Sequence, residues 1–308
     1  MPSLRGLGIA VSAVADVCAA RREAAARRVP GIRAYAERDA LLAAETGLDA
    51  LIITTPPHDH AGAVVAGLRA GLHVLCEKPL TLDACAFAEI RDKAESSDRA
   101  VYCVNNWAFS PQWARLTEIA ASGALGAIRR AEVRVLRTRP SASALPNDWR
   151  KDPAIAGGGI LVDHGWHNLY LLRRVLGAGA RLVSAVLTPE GGVDELATVL
   201  LGAPGAAGVL NLSWRAPERS NAVFLLGDEG SAELRDDVLE VCANGARETA
   251  RFAEKLSAGS AHPDWLTAMW PAFEAECAGI GRGESLAEAA FCLDTIRAAY
   301  AERETTRA

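Results

Sequence analysis

The chain has 308 residues, half of them hydrophobic and 23% charged. That composition supports a sizeable core and, at this length, two domains. A net charge of −5 and a pI near 5.8 leave no basic footprint for nucleic acid or an anionic membrane surface, and so few aromatics give no base-stacking surface.

Residues 11–17, Val-Ser-Ala-Val-Ala-Asp-Val, read as a buried strand carrying an acid, Asp16, near its end. A helix follows over 19–28 and stops at Pro30-Gly31. Tyr35 and the segment 39–46 form a short crossover. A second apolar strand, 50–54, closes on Thr55-Pro56-Pro57, and a helix over 61–70 stops at Gly71. Strand 72–75, helix 81–97 and strand 100–104 complete the alternation. Short, continuously apolar strands alternating with helices predict a parallel sheet covered on both faces.

The period changes after Gly126. Ala131, Val133 and Val135 alternate with Glu132, Arg134 and Leu136, as in a strand with one buried face. Similar segments follow around 182–187, 196–201, 207–213, 221–226 and 231–235, with turn residues between them. One helix interrupts them at 160–176, and two more are predicted at 264–279 and 285–303. The fold class is therefore α/β plus α+β: a parallel-sheet domain over 1–125, then a domain over 126–308 with a mostly antiparallel sheet.

The chemistry concentrates in a few strings. Cys76-Glu77-Lys78-Pro79-Leu80 puts a lysine just after a buried strand, at a mouth that proline keeps from continuing as strand. Ligands of open α/β sheets bind at such mouths. Asp16 stands where an acid accepts hydrogen bonds from adenosine ribose hydroxyls and repels a 2′-phosphate, favouring NAD over NADP. Arg21 and Arg22, one turn on, soften that repulsion; the other reading of Asp16 is a plain loop acid or helix cap. The loop of Thr54, Thr55, Pro56, Pro57, His58, Asp59 and His60 follows the next strand and is placed to line a dinucleotide. His60 is equally a helix N-terminal residue without a chemical role. No metal is expected there, because the spacing is not that of helical ligands.

A phosphate-binding glycine loop belongs about 20 residues before such an acid, which falls ahead of Met1. Gly6-Leu7-Gly8 is no substitute, since it stands where a helix stop belongs and no helix N-terminus follows. The expectation is a chain that begins inside the first helix of its βαβ unit.

Gly157-Gly158-Gly159 reads as a flexible run feeding a helix. On it Asp163 and His167 are four apart and share a face, while His164 points about 100° away. A histidine can take a proton from an alcohol, and a neighbouring carboxylate can orient it and raise its pKa. The bland alternative is a surface ion pair. Asn105, Asn106, Trp149, Arg150, His262 and Asp264 lie where a substrate pocket could form, each more often structural than catalytic. The seven cysteines are irregularly spaced without a CxxC pair. They read as reduced thiols of a cytoplasmic protein, and no signal peptide or membrane span is expected.

Together these residues resemble the glucose–fructose oxidoreductase / inositol dehydrogenase family (Gfo/Idh/MocA). The match is carried by Val14-Ala15-Asp16, the Thr55-Pro56-Pro57-His58-Asp59-His60 loop, Cys76-Glu77-Lys78-Pro79-Leu80, and the stretch from Gly157 to His167. Leu212-Ser213-Trp214 and the segment 227–231 add to it. The resemblance implies a Rossmann domain, NAD or NADP, and a second domain whose open sheet builds homodimers or homotetramers. It implies that Lys78, Asp163 and His167 are catalytic, with His167 as general base and Lys78 positioning hydroxyl and cofactor. Asp16, Thr54, Thr55, Pro56, His60, Glu77 and Lys78 would contact the cofactor. Asn106, Trp149, Arg150, Asp163 and His167 would contact a sugar, cyclitol or nucleotide sugar. The absent glycine loop is the departure, and it leaves a second reading: a non-redox, cofactor-deficient relative acting as a binding or assembly partner.

Overall fold

The computed structural model describes residues 2–140, 152–190, 192–259 and 262–305. After a short helix α1 (Pro2–Gly6), strands and helices alternate: β1 (Ala13–Ala15), α2 (Ala19–Arg28), β2 (Arg33–Tyr35), α3 (Arg38–Ala44), β3 (Ala50–Ile53), α4 (Pro57–Arg69), β4 (His73–Cys76), α5 (Ala84–Ser97) and β5 (Val101–Cys103). All pair in parallel, in two sheets, β1–β2 and β3–β4–β5. Among the described residues no strand pairs with the second edge of β1 or of β3. This is a Rossmann-like arrangement, with strand mouths aligned where Asp16, Thr54 and Glu77 leave the sheets.

Two boundaries differ from expectation for local reasons. Helix α4 begins at Pro57, not at 61, because proline at N1 needs no amide partner and presets helical φ. His58, Asp59 and His60 are thus its first turn. Helix α5 begins at Ala84, where the Asp83 carboxylate accepts from the Ala86 amide at 2.7 Å and caps the first turn.

Helix α6 (Pro111–Ala121) leads into an eight-stranded sheet of β6 (Ile128–Leu136), β7 (Arg181–Glu190), β8 (Val193–Ala203), β9 (Ala206–Ser213), β10 (Ser220–Gly227), β11 (Gly230–Arg235), β12 (Val238–Ala243) and β13 (Ala246–Arg251). The spatial order is β13-β12-β11-β10-β6-β9-β8-β7, antiparallel except for the β6–β9 pair. The last hairpin, β12–β13, escaped the alternation argument because β13 is exposed throughout. Its signal is Asn244-Gly245, both at positive φ, the pair that two-residue hairpins favour.

A π-turn over Leu161–Gly165 and α8 (Trp166–Leu176) cross the inner face of this sheet, joined by α10 (Glu284–Thr305), while α7 (Pro153–Ala156) packs on α4 and α9 (Pro263–Cys277) packs on α1 and the turn Asn106–Phe109. One continuous core runs from Val74, Cys76 and Val101 through Leu169, Cys292 and Ile296 to Val133, Val199 and Val223. The two sheet systems are therefore packed on the same helices. That shared packing fixes the strand mouths of the first against the π-turn of the second.

Candidate active site

The ends of β3 and β4 deliver Thr54, Thr55, Glu77 and Lys78 to one wall of a cleft, and Asp163 and Trp214 stand on the other. The cleft holds about 140 Å³. Lys78 Nζ crosses it and donates to Asp163 Oδ1 at 2.9 Å and to the Asp163 carbonyl at 2.6 Å. Both side chains are largely buried, so this pair is poorly screened by solvent.

The π-turn changes which histidine meets Asp163. Its wider i→i+5 geometry breaks the simple four-residue face assumed from sequence. Asp163 Oδ2 lies 3.3 Å from Nδ1 of His164, whose ring also receives the Trp214 indole N–H at 3.3 Å. His167 instead places Nδ1 3.2 Å from the Tyr170 hydroxyl and stacks against Trp107, rings 5.2 Å apart. Trp107 belongs to the 3₁₀ turn Asn106–Phe109. His167 is not part of the cavity lining.

The expected rise in histidine pKa does not occur. Burial dominates and pushes His164 down to about 4, against the opposing attraction of Asp163. Burial likewise holds His167 well below the usual imidazole value, helped by the nearby Lys78 ammonium. Both rings are neutral at neutral pH.

Close packing requires glycine at two positions of the run. A Cβ on Gly159 would sit 2.0 Å from the Asp194 carbonyl oxygen, and one on Gly158 2.2 Å from Tyr300 Oη. Asp194, fully buried in β8, accepts the amides of Gly159 and Leu161 at 2.9 Å each and the Tyr300 hydroxyl at 2.5 Å. Its carboxylate thereby anchors the start of the π-turn. Sequence reasoning missed it, although an acid directly after Val193 in a strand of mostly apolar residues was the available signal.

The remaining candidates separate. Asp16 follows β1, accepting from the Cys18 amide at 2.8 Å and from Arg21 Nε at 2.7 Å, while Arg22 donates to its carbonyl at 2.5 Å. Partial burial pushes its carboxyl up, but the Arg21 and Cys18 hydrogen bonds win and hold it below the usual range. His60 is 1% exposed, its ring nitrogens each 2.7 Å from a carbonyl, of Pro79 and Thr55. It ties the Lys78 loop to the Thr55 loop and does not line the cleft. Pro56 caps α4 outside the cavity lining. Asn106 is half-buried and likewise outside the lining, while Asn105 is buried and donates to Glu288 at 2.8 Å. Trp149 and Arg150 lie outside the described residues.

Thr54, Thr55, Glu77 and Lys78 fit the nicotinamide end of a dinucleotide, and Asp16 the ribose of its adenosine end. Gly6-Leu7-Gly8 closes α1, with the Gly8 amide donating to Arg5 O and Gly8 at φ +76°, a helix stop. Among the described residues no glycine turn opens a helix after a strand. Nor do they hold a cluster of three or more potential metal ligands, or a helix long and apolar enough to cross a membrane.

Residues 4–105 match the oxidoreductase family with NAD-binding Rossmann fold, and residues 113–233 match the GFO/IDH/MocA C-terminal domain. An uncharacterized oxidoreductase, ORF334, of Rhizobium meliloti is 30% identical over 82% of this chain and 75% of its own. A levoglucosan dehydrogenase of Pseudarthrobacter phenanthrenivorans is 29% identical over 76% of this chain and 67% of its own. The fold is that of levoglucosan dehydrogenase in complex with NADH and levoglucosan, at a TM-score of 0.80 and 21% identity over 96% of this chain and 89% of that one. With both halves matched in order, the chain belongs to the GFO/IDH/MocA family, NAD(P)-dependent oxidoreductases acting on CH–OH groups.

Proposed function

We propose that this protein moves hydride between NAD or NADP and a sugar, cyclitol or related hydroxy/keto compound, with His167 as general acid/base and Lys78 positioning the substrate. The observation that supports it most is the Lys78–Asp163 pair spanning the cleft between strand mouths and π-turn. An ammonium fixed by a carboxylate and a carbonyl is aimed before substrate arrives, so stabilising a developing alkoxide costs little reorganisation. His167, kept neutral by burial, is ready to accept the hydroxyl proton on oxidation and return it on reduction. A bound nicotinamide supplies or accepts the hydride. The substrate class follows the names of the relatives and the aromatic ring of Trp214 in the cleft lining.

NAD is our preferred cofactor, because Asp16 is held ionised; its pairing with Arg21 keeps NADP as the second choice. We place the division between the units at 125/126 and the working compartment in the cytoplasm. A homodimer or homotetramer would use the outer sheet face, where Val186, Thr198, Asn211, Arg134 and Ala222 form one cross-strand row. Titration with NADH and NADPH tests the core of the reading. Fluorescence enhancement on binding, with turnover on a panel of sugars and cyclitols, is expected. No binding up to millimolar cofactor would overturn it.

A further inference from the structure

Resting on the reading of His167 as the proton-transferring group, we infer that Tyr170 is its positioning residue: the Tyr170 hydroxyl accepts the Nδ1 proton and leaves the Nε2 lone pair free for the substrate hydroxyl. Tyr170 Oη is the only hydrogen-bond partner of the His167 ring among the described residues, at 3.2 Å. The two rings meet edge to face at 80°, and Trp107 stacks on His167 at an interplanar angle of 16°. The ring is thus packed on two sides, and the choice of protonated nitrogen is left for the hydroxyl to set.

Tyr170 is itself pinned. It is 1% exposed, and the Arg174 guanidinium lies 5.8 Å from its ring centroid. Arg174 forms a two-point pair with Glu288, whose second oxygen also accepts from Asn105. The charged and titratable groups acting on His167 from the surrounding elements are Lys78, Asp163, His164 and His262. None of them is within hydrogen-bond distance of its ring. A neutral acceptor on Nδ1 orients the imidazole while stabilising the imidazolium less than a carboxylate in the same place would. Burial, helped by the Lys78 ammonium, holds the ring neutral well below the usual imidazole value.

The test compares Tyr170→Phe with the parent enzyme and reads the tautomer in the parent directly. Tyr170→Phe keeps the ring packing and is expected to lower kcat ten- to a hundredfold, about the range seen for lost orienting partners. KM for sugar and cofactor should stay within about threefold, and the acid limb of the kcat profile should change shape. Nitrogen-15 NMR of histidine-labelled parent protein is expected to show His167 protonated on Nδ1 at pH 7. Protonation on Nε2, or wild-type kcat and pH profile in Tyr170→Phe, would overturn the inference. The NMR reading needs no turnover, so it separates failure of this assignment from failure of the redox function.

Discussion

Lys78 Nζ donates to two oxygens of one residue, the carboxylate and the carbonyl of Asp163, across 85 positions of sequence. The first oxygen fixes charge and the second fixes the backbone of the π-turn. The lysine that leaves β4 is therefore registered on the segment that carries the histidines, and a shift of either element disturbs both.

Lys78→Ala and His167→Ala are each expected to lower kcat by at least about a hundredfold, the low end for general acid–base groups. Lys78→Arg should not restore it, since the longer, planar guanidinium spreads its charge and cannot put a compact ammonium at the same point of the cleft. Near-normal steady-state turnover in both alanine variants would refute the assigned roles.

Asp194→Ala leaves the buried amides of Gly159 and Leu161 without an acceptor. At about 1–3 kcal/mol for each of the two orphaned amides, the loss should be about 2–6 kcal/mol. Urea melts measure it, and a midpoint within error of the parent would remove Asp194 from the support of the site. Gly159→Ala should be worse, because its Cβ meets backbone that cannot swing away.

Stability should fall on mild acidification. In the unfolded chain histidine takes up a proton near pH 6.5, but folded His164 does not until about 4, so the unfolded state binds more protons in that window. Stability therefore drops as pH falls from about 6.5 to 4, by about 1.4 kcal/mol per unit for this group, and His167 adds the same sign. Melting temperatures across pH 4–7 check this. His164→Asn should flatten the slope, and an unchanged slope would mean that His164 is not the group responsible.

Asp16→Ala should weaken NADH binding at least about tenfold, the worth of a single charge-assisted hydrogen bond. NADPH should be unaffected or tightened, because Arg21 and Arg22 would then face a 2′-phosphate without competition. Equal losses for both cofactors in fluorescence titration would argue that Asp16 does not select between them.

The sheet class, the helix over 19–28 and the lysine at the strand mouth were legible because each rests on local pattern: apolar runs, a Pro-Gly stop, a proline after lysine. What escaped was non-local. Nothing around Asp163 in the chain announces a π-turn, so the partner of His167 was misassigned by a four-residue count. Asp194 and Tyr300 come from a distant strand and the last helix, and only packing brings them to the glycine run. Burial, which sets the histidine pKa values, is likewise a property of the assembled core.

Tyr300 belongs to α10, yet its hydroxyl reaches the loop that starts the π-turn. Helix α10 is thus a strut of the candidate site as well as a cover for the sheet. A fusion partner, an affinity tag or proteolytic trimming that strains the last turns of α10 would be felt at the candidate site, so labels for biophysical work belong elsewhere, on the exposed strand β13.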